Sequence, residues 1–187
     1  MVVNLKFYYR IRKLKKIILR VVAILLLLLV LIVIILSMPS VQTSIAKKVT
    51  KKINEDYGTN IQIDRIGLNW KGEVDIRDLY IEDHHKDTLI FTEVLQTSIL
   101  SAKRLIDGDL DFAYAELHNT KFYLKTYHGE VDDNLTVFTD KFETGKPTSS
   151  KPFEMLIDEV SLNNTRVKII DETVENQEIF DFSEIYL

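Results

Sequence analysis

Hydrophobic positions follow three successive patterns along the chain. Residues 21–36 (VVAILLLLLVLIVIIL) are apolar without a break. From Val41 the apolar residues fall every fourth position, at Val41, Ile45, Val49 and Ile53. From Asn60 the period drops to two, as in Ile61-x-Ile63, Ile66-x-Leu68-x-Trp70, Val74-x-Ile76 and Leu79-x-Ile81. These patterns predict a long apolar helix, an amphipathic helix and a series of short strands.

The apolar helix fits a membrane span. Ile17 to Met38 is interrupted only by Arg20 and would be about 33 Å long, enough for a hydrocarbon core of ~30 Å. Seven Lys or Arg precede the run (Lys6, Arg10, Arg12, Lys13, Lys15, Lys16, Arg20) and four follow it (Lys47, Lys48, Lys51, Lys52). That excess predicts a cytoplasmic N-terminus, with residues beyond 38 on the far side. The run exceeds the apolar core of a cleaved signal peptide, and Leu36-Ser37-Met38 is a poor cleavage site, so an uncleaved anchor is expected.

The amphipathic segment, residues 39–58, has Ser40 as a candidate N-cap and Gly58 as a stop. Its apolar stripe is expected to pack on the following sheet with the lysines in solvent. The other reading is a helix lying on, or rising from, an anionic membrane surface, and both can hold along one helix.

Residues 59–187 read as a mainly β region. Strand-like runs cover 61–70, 74–81, 89–95, 110–115, 117–124, 131–142, 153–160, 162–170 and 179–187, with turns at Lys71-Gly72 and His128-Gly129. A short helix is expected over 98–106, and residues 144–152 (TGKPTSSKP) form a Pro/Ser-rich loop. One internal repeat stands out. Leu117-His-Asn119-Thr120-Lys-Phe122-Tyr-Leu124 matches Leu162-Asn-Asn164-Thr165-Arg-Val167-Lys-Ile169 at an offset of 45. Each Asn-Thr pair predicts a bend leading into a strand, and the offset suggests stacked β-units.

Charge sharpens this division. Residues 1–54 carry eleven basic residues and no acid, whereas 55–187 carry thirteen basic against 28 acidic, a balance of −15. A nucleic-acid binder with a basic globular face is excluded. With no cysteine, disulfides, thiol nucleophiles and thiolate metal sites are excluded too.

Candidate chemistry is sparse. Asp107, Asp109 and Asp111 have the spacing of a calcium loop, but Phe112 and His118 stand where Gly and Glu are required. His84 and His85, with Asp83 and Asp87, read as a solvated loop rather than a metal site. Asp132-Asp133 reads as a solvated turn, and Trp70 as core, with a residue at a groove mouth as the rival reading. Asn134-Leu-Thr136 and Asn163-Asn-Thr165 match a glycosylation pattern that matters only in a eukaryotic secretory route. No nucleophile, P-loop or metallohydrolase motif occurs, so neither an enzyme nor a cofactor is expected.

The ordered set of an N-terminal span, MPSVQTSIAKKVTKKINEDYGTNIQIDRIGLNWKGEVDIRDLYIEDHHKDTLI, Leu-Ile-Asp-Gly-Asp-Leu and Phe-Tyr-Leu-Lys-Thr-Tyr resembles the N-terminal region of the AsmA-like superfamily. Within it, the TamB-type translocation and assembly module proteins of Bacteroidota are the nearest in pattern. The resemblance implies an inner-membrane protein with a periplasmic β-sheet curled into a taco-like groove that carries phospholipid acyl chains towards the outer membrane. It also implies a role in outer-membrane biogenesis and protein assembly, with an Omp85-class barrel (TamA-like) as partner through a C-terminal region beyond residue 187. Family members are far longer, and this chain stops inside an apolar run at Ile185-Tyr186-Leu187, so a longer native protein is expected. The expected groove lining is Leu117, Phe122 and Leu124, with Leu162, Val167 and Ile169 as repeat counterparts. The alternative is a single-span tether or sensor whose β-domain has a dry core and binds a protein.

Overall fold

The computed structural model describes residues 5–101, 110–144, 155–174 and 178–187. Helix α1 covers Leu5–Leu36 and helix α2 covers Pro39–Tyr57. Within α1, Lys13–Leu36 is long and apolar enough to cross a membrane, and none of its most apolar stretch is buried against the rest of the chain. The helix ends at Leu36, before the expected limit of Met38, because Ser37 and Met38 form the joint. Met38 is extended and serves as the N-cap of α2. The expected cap, Ser40, lies inside the helix. Pro39 takes the first helical position, where its fixed φ suits a helix start and its missing N–H is not needed. Gly58 ends α2 in the left-handed conformation (φ 64°).

Among the described residues, nine strands form one open sheet: β1 (Asn60–Gln62), β2 (Arg65–Leu68), β3 (Glu73–Glu82), β4 (Thr88–Ile99), β5 (Leu110–Thr126), β6 (Met155–Ile157), β7 (Val160–Asn163), β8 (Thr165–Asp171) and β9 (Glu178–Ile185). The order is β1-β3-β4-β5-β8-β9, with β2 also on β3 and β6 and β7 also on β5. Runs 110–115 and 117–124 join in β5, whereas 61–70 divides into β1 and β2 and 162–170 into β7 and β8.

Two expectations about elements fail. Residues 131–142 are not a strand: helix α3 spans Asn134–Thr144. Asp133 is its cap, accepting from the Leu135 and Thr136 N–H groups at 2.9 Å, so the Asp132-Asp133 pair is not merely a solvated turn. A helix suits this place because β5 pairs in parallel with β6, β7 and β8, and parallel pairing needs a crossover connection, usually helical. Of the helix expected over 98–106, Ser98 and Ile99 belong to β4, while 102–109 lie outside the described residues. Most of the 144–152 loop lies outside them as well.

The second failure concerns α2. The middle of its apolar stripe does not pack on the sheet: Ile45 is 48% and Val49 54% exposed, while Val41 and Ile53 at its ends are half-buried. The packed side is polar. Gln42 donates to the Leu68 carbonyl and accepts from the Leu68 N–H, both at 2.8 Å. Asn54 does the same for Ile61 at 2.8 Å, and Thr43 for Ile66 at 3.3 and 3.2 Å. The reason is that β1 and β2 form an edge whose outward N–H and C=O groups need partners. An apolar stripe cannot supply them; amides and hydroxyls can.

Candidate functional site

Strand register assembles the expected lining residues into rows. Leu117 pairs with Leu162, Phe122 with Val167 and Leu124 with Ile169. The repeat seen at an offset of 45 is therefore a parallel, in-register pairing, and the same offset relates Leu110 to Met155. One row crosses six strands: Ile61, Ile81, Ile90, Phe122, Val167 and Phe182. A second crosses five: Ile66, Ile76, Leu95, Leu117 and Leu162. Directly paired residues share a face, so each row is an apolar stripe perpendicular to the strands. The side chains are half-buried, and near β9 they open to solvent, with Ile169, Ile179, Phe180 and Phe182 exposed.

Between the two rows lies a line of left-handed residues: Asp78 (φ 50°), Asn119 (φ 52°), Asn164 (φ 54°) and Glu184 (φ 58°). Glu93 sits opposite Asp78 and Asn119, and all five are exposed. Asn tolerates this conformation through local hydrogen bonding. Asn164 donates to Asn119 at 2.6 Å, and Asn119 donates to Glu93 at 2.7 Å. The next row, Thr92, Thr120 and Thr165, is buried, with the Thr92 and Thr120 hydroxyls 2.7 Å apart. The expected Asn-Thr bends are thus present, within a continuous β5 and between β7 and β8.

A polar cluster stands at the tip of the β3–β4 hairpin. The turn at 83–87 is tied by the Asp83 carboxylate, which accepts from the His85 and Asp87 N–H groups at 2.9 Å. Its other oxygen accepts from the Tyr127 hydroxyl at 2.6 Å and the Asn134 amide at 3.0 Å. Burial pushes the Asp83 carboxyl up, but the hydrogen bonds from Asn134, Tyr127, Asp87 and His85 outweigh it and hold the group below the usual carboxylate range. Burial also pushes the Tyr127 hydroxyl up, reinforced by the Asp83 and Asp87 carboxylates it donates to. Asn134 is 1% exposed. It donates to the Tyr123 carbonyl and accepts from the Lys125 N–H, both at 2.9 Å. Its burial closes it to glycosylation.

His84 and His85 do not point to opposite faces, because they sit in this tight turn and not in a strand. Both reach Glu130, with Nε2 atoms 2.8 and 2.7 Å from its two oxygens. These hydrogen bonds, from His85 and then His84, hold the Glu130 carboxyl below its usual range. The His85 ring also stacks on Tyr127 at 3.7 Å. The ligand atoms of His84, His85 and Glu130 lie within 4.8 Å of one another. A metal on His84 Nε2 would place a proton on Nδ1, which is buried without a hydrogen-bond partner. The arrangement therefore favours a doubly hydrogen-bonded carboxylate over a cation cage. Sequence reasoning missed Glu130, which follows β5 and is distant in the chain; Asp83 and Asp87 bind Tyr127 instead.

Trp70 is not core: it is 90% exposed at the β2–β3 turn. His118 lies 3.1 Å from Glu116, and His128 Nδ1 lies 3.3 Å from the Glu172 carbonyl. Asp107 and Asp109 are outside the described residues. Comparison with protein-family models, with curated proteins and with solved structures gave no match.

Proposed function

We propose that the chain is the membrane-anchored part of a lipid-conducting β-scaffold. In this reading α1 holds it in the inner membrane with the N-terminus in the cytoplasm, as the seven-to-four basic excess supports. The sheet then lies in the periplasm and offers an apolar track to phospholipid acyl chains bound for the outer membrane. Such a role supports outer-membrane biogenesis and protein assembly, with an Omp85-class barrel as the distant partner.

The observation that carries the proposal is the six-strand apolar row from Ile61 to Phe182. At about 4.8 Å per strand it is roughly 24 Å wide. The line of left-handed residues interrupts the side-chain alternation between the two rows in β3, in β5 and between β7 and β8, where Asp78, Asn119 and Asn164 are exposed. Acyl chains suit such a face: they need no hydrogen bonds, and each buried CH₂ contributes roughly 0.8 kcal/mol. Every strand added beside β9 would lengthen the track. A groove in the resembled family's sense is the curled form of this face.

The test is photo-crosslinking in native membranes, with a photoreactive residue at Phe122, Val167 or Phe182. Phospholipid adducts are expected there and not at Lys121 or Lys168, which alternate onto the other face. Adducts to protein alone would favour a second reading, a tether whose partner adds a strand to β9, where Ile179, Phe180 and Phe182 are exposed.

A further inference from the structure

Two exposed features flank the joint between α1 and α2. The first is the outward stripe of α2. At about 100° per residue, Lys48 projects about 60° from Ile45 and Lys52 about 60° from Val49, on the side away from the sheet-facing residues Gln42, Ala46 and Thr50. Lys47 and Lys51 have distant, exposed acid partners, Asp64 at 3.9 Å and Glu55 at 3.6 Å. Among the described residues, Lys48 and Lys52 have no ion-pair partner.

The second feature is the Trp70-Lys71 turn. Its indole is almost fully in solvent, with the Lys71 ammonium 5.7 Å from the ring centre. The turn is braced by Asn69, which accepts from the Lys71 and Glu73 N–H groups at 2.8 and 3.1 Å. It is also tied to the start of α2, since Gln42 bonds both backbone groups of Leu68. Ser37, Pro39, Gln42, Leu68 and Asn69 line one shallow cavity, so the turn stands beside the joint. Only Ser37 and Met38 separate α2 from the apolar helix.

We propose that the Ile45/Val49 stripe of α2 and the Trp70-Lys71 turn form a second membrane contact, resting on the anionic headgroup layer of the bilayer that α1 crosses. The inference depends on α1 being a span. An exposed Trp beside Lys, next to an apolar stripe flanked by lysines, matches the chemistry of that layer. The indole has an apolar body and a polar N–H, and lysine stems snorkel to phosphates. Contact at the joint and along α2 would fix the angle at which the sheet leaves the membrane. A free hinge at Ser37-Met38 would not.

Trp70 is the sole tryptophan, which makes the test direct. The full chain is reconstituted into phosphatidylcholine vesicles with and without phosphatidylglycerol, and Trp70 emission is read with bromine-labelled lipids as quenchers. Expected is a blue-shifted emission quenched in the anionic vesicles, with the quenching reduced in phosphatidylcholine alone. Ile45→Ser/Val49→Ser and Lys48→Glu/Lys52→Glu are each expected to reduce it while the chain stays embedded. Water-like, unquenched Trp70 emission from a chain that resists alkaline carbonate extraction would overturn the second contact and leave the anchor intact. Release of the chain by carbonate would instead overturn the anchor, and this inference with it.

Discussion

The two edges of the sheet are finished in opposite ways. At the β1/β2 edge, Gln42, Thr43 and Asn54 of α2 satisfy the outward backbone groups of Leu68, Ile66 and Ile61. Asn134 of α3 repeats the device on β5, at Tyr123 and Lys125 beyond the reach of β4. At the other edge β9 ends the ladder, and Phe180 and Phe182 stand half in solvent. Edge strands attract further strands unless they are covered. The covered edge lies beside the apolar N-terminal helix, whereas among the described residues β9 has no such helix bonded to its outer edge.

The largest expected effect comes from uncovering the covered edge. Asn54→Leu keeps approximate size but leaves the Ile61 N–H and C=O without partners and strands the Thr59 hydroxyl, which donates to Asn54 at 2.9 Å. Orphaned polar groups and lost hydrogen bonds predict a loss of about 2–4 kcal/mol, measured by urea unfolding of the full chain in detergent. A loss under about 0.5 kcal/mol, the level of an ordinary surface change, would mean that the α2 amides do not hold this edge.

The matching change at the open edge is expected to be milder. Phe182→Lys removes a half-exposed ring and should cost about 1 kcal/mol or less. It should also reduce lipid or strand capture at β9, read as fewer crosslinks from a probe at Val167, its partner across the ladder. A loss equal to that of Asn54→Leu would erase the distinction between the edges.

This contrast also explains which parts of the fold were legible in the sequence. The apolar helix, the Gly58 stop, the turns at Gly72 and Gly129 and the 45-residue repeat were all readable, because each rests on a local pattern. The facing of α2 was not. Its i, i+4 stripe is real, but a strand edge selects partners by hydrogen bonding, so Gln42, Thr43 and Asn54 won over Val49. Helix α3 was missed because Leu135, Val137 and Phe142 also suit a strand; the parallel pairing that demands a crossover appears only in three dimensions. The joining of runs 110–115 and 117–124 in one strand was not legible, because their continuity shows only in the pairing of β5 with β4. Of the hairpin cluster, His84 and His85 were visible, whereas Glu130 and Tyr127 reach them only through the fold.

The smallest expected effect is a difference in acid sensitivity between the two sides. Asp83, at the hairpin end braced by Asn134, and Asp181, paired with Arg166 across β8 and β9, both have lowered pKa values. At Asp83, burial acts against hydrogen bonds that prevail; at Asp181, the Arg166 hydrogen bond leads. A carboxyl held below its unfolded value of about 3.9 contributes stability that is complete above that pH and is lost as pH falls through the folded value. Asp83 is buried and meets four donors, whereas Asp181 is exposed and its ion pair is screened by solvent. Asp83→Asn should therefore lower stability at neutral pH and flatten the acid limb of the stability curve, converging on the wild type at low pH. Asp181→Asn should leave that limb close to wild type. Urea midpoints of the full chain, followed from neutral pH downwards, read both. If Asp181→Asn flattened the acid limb and Asp83→Asn did not, acid sensitivity would belong to the open edge and not to the hairpin that Asn134 braces.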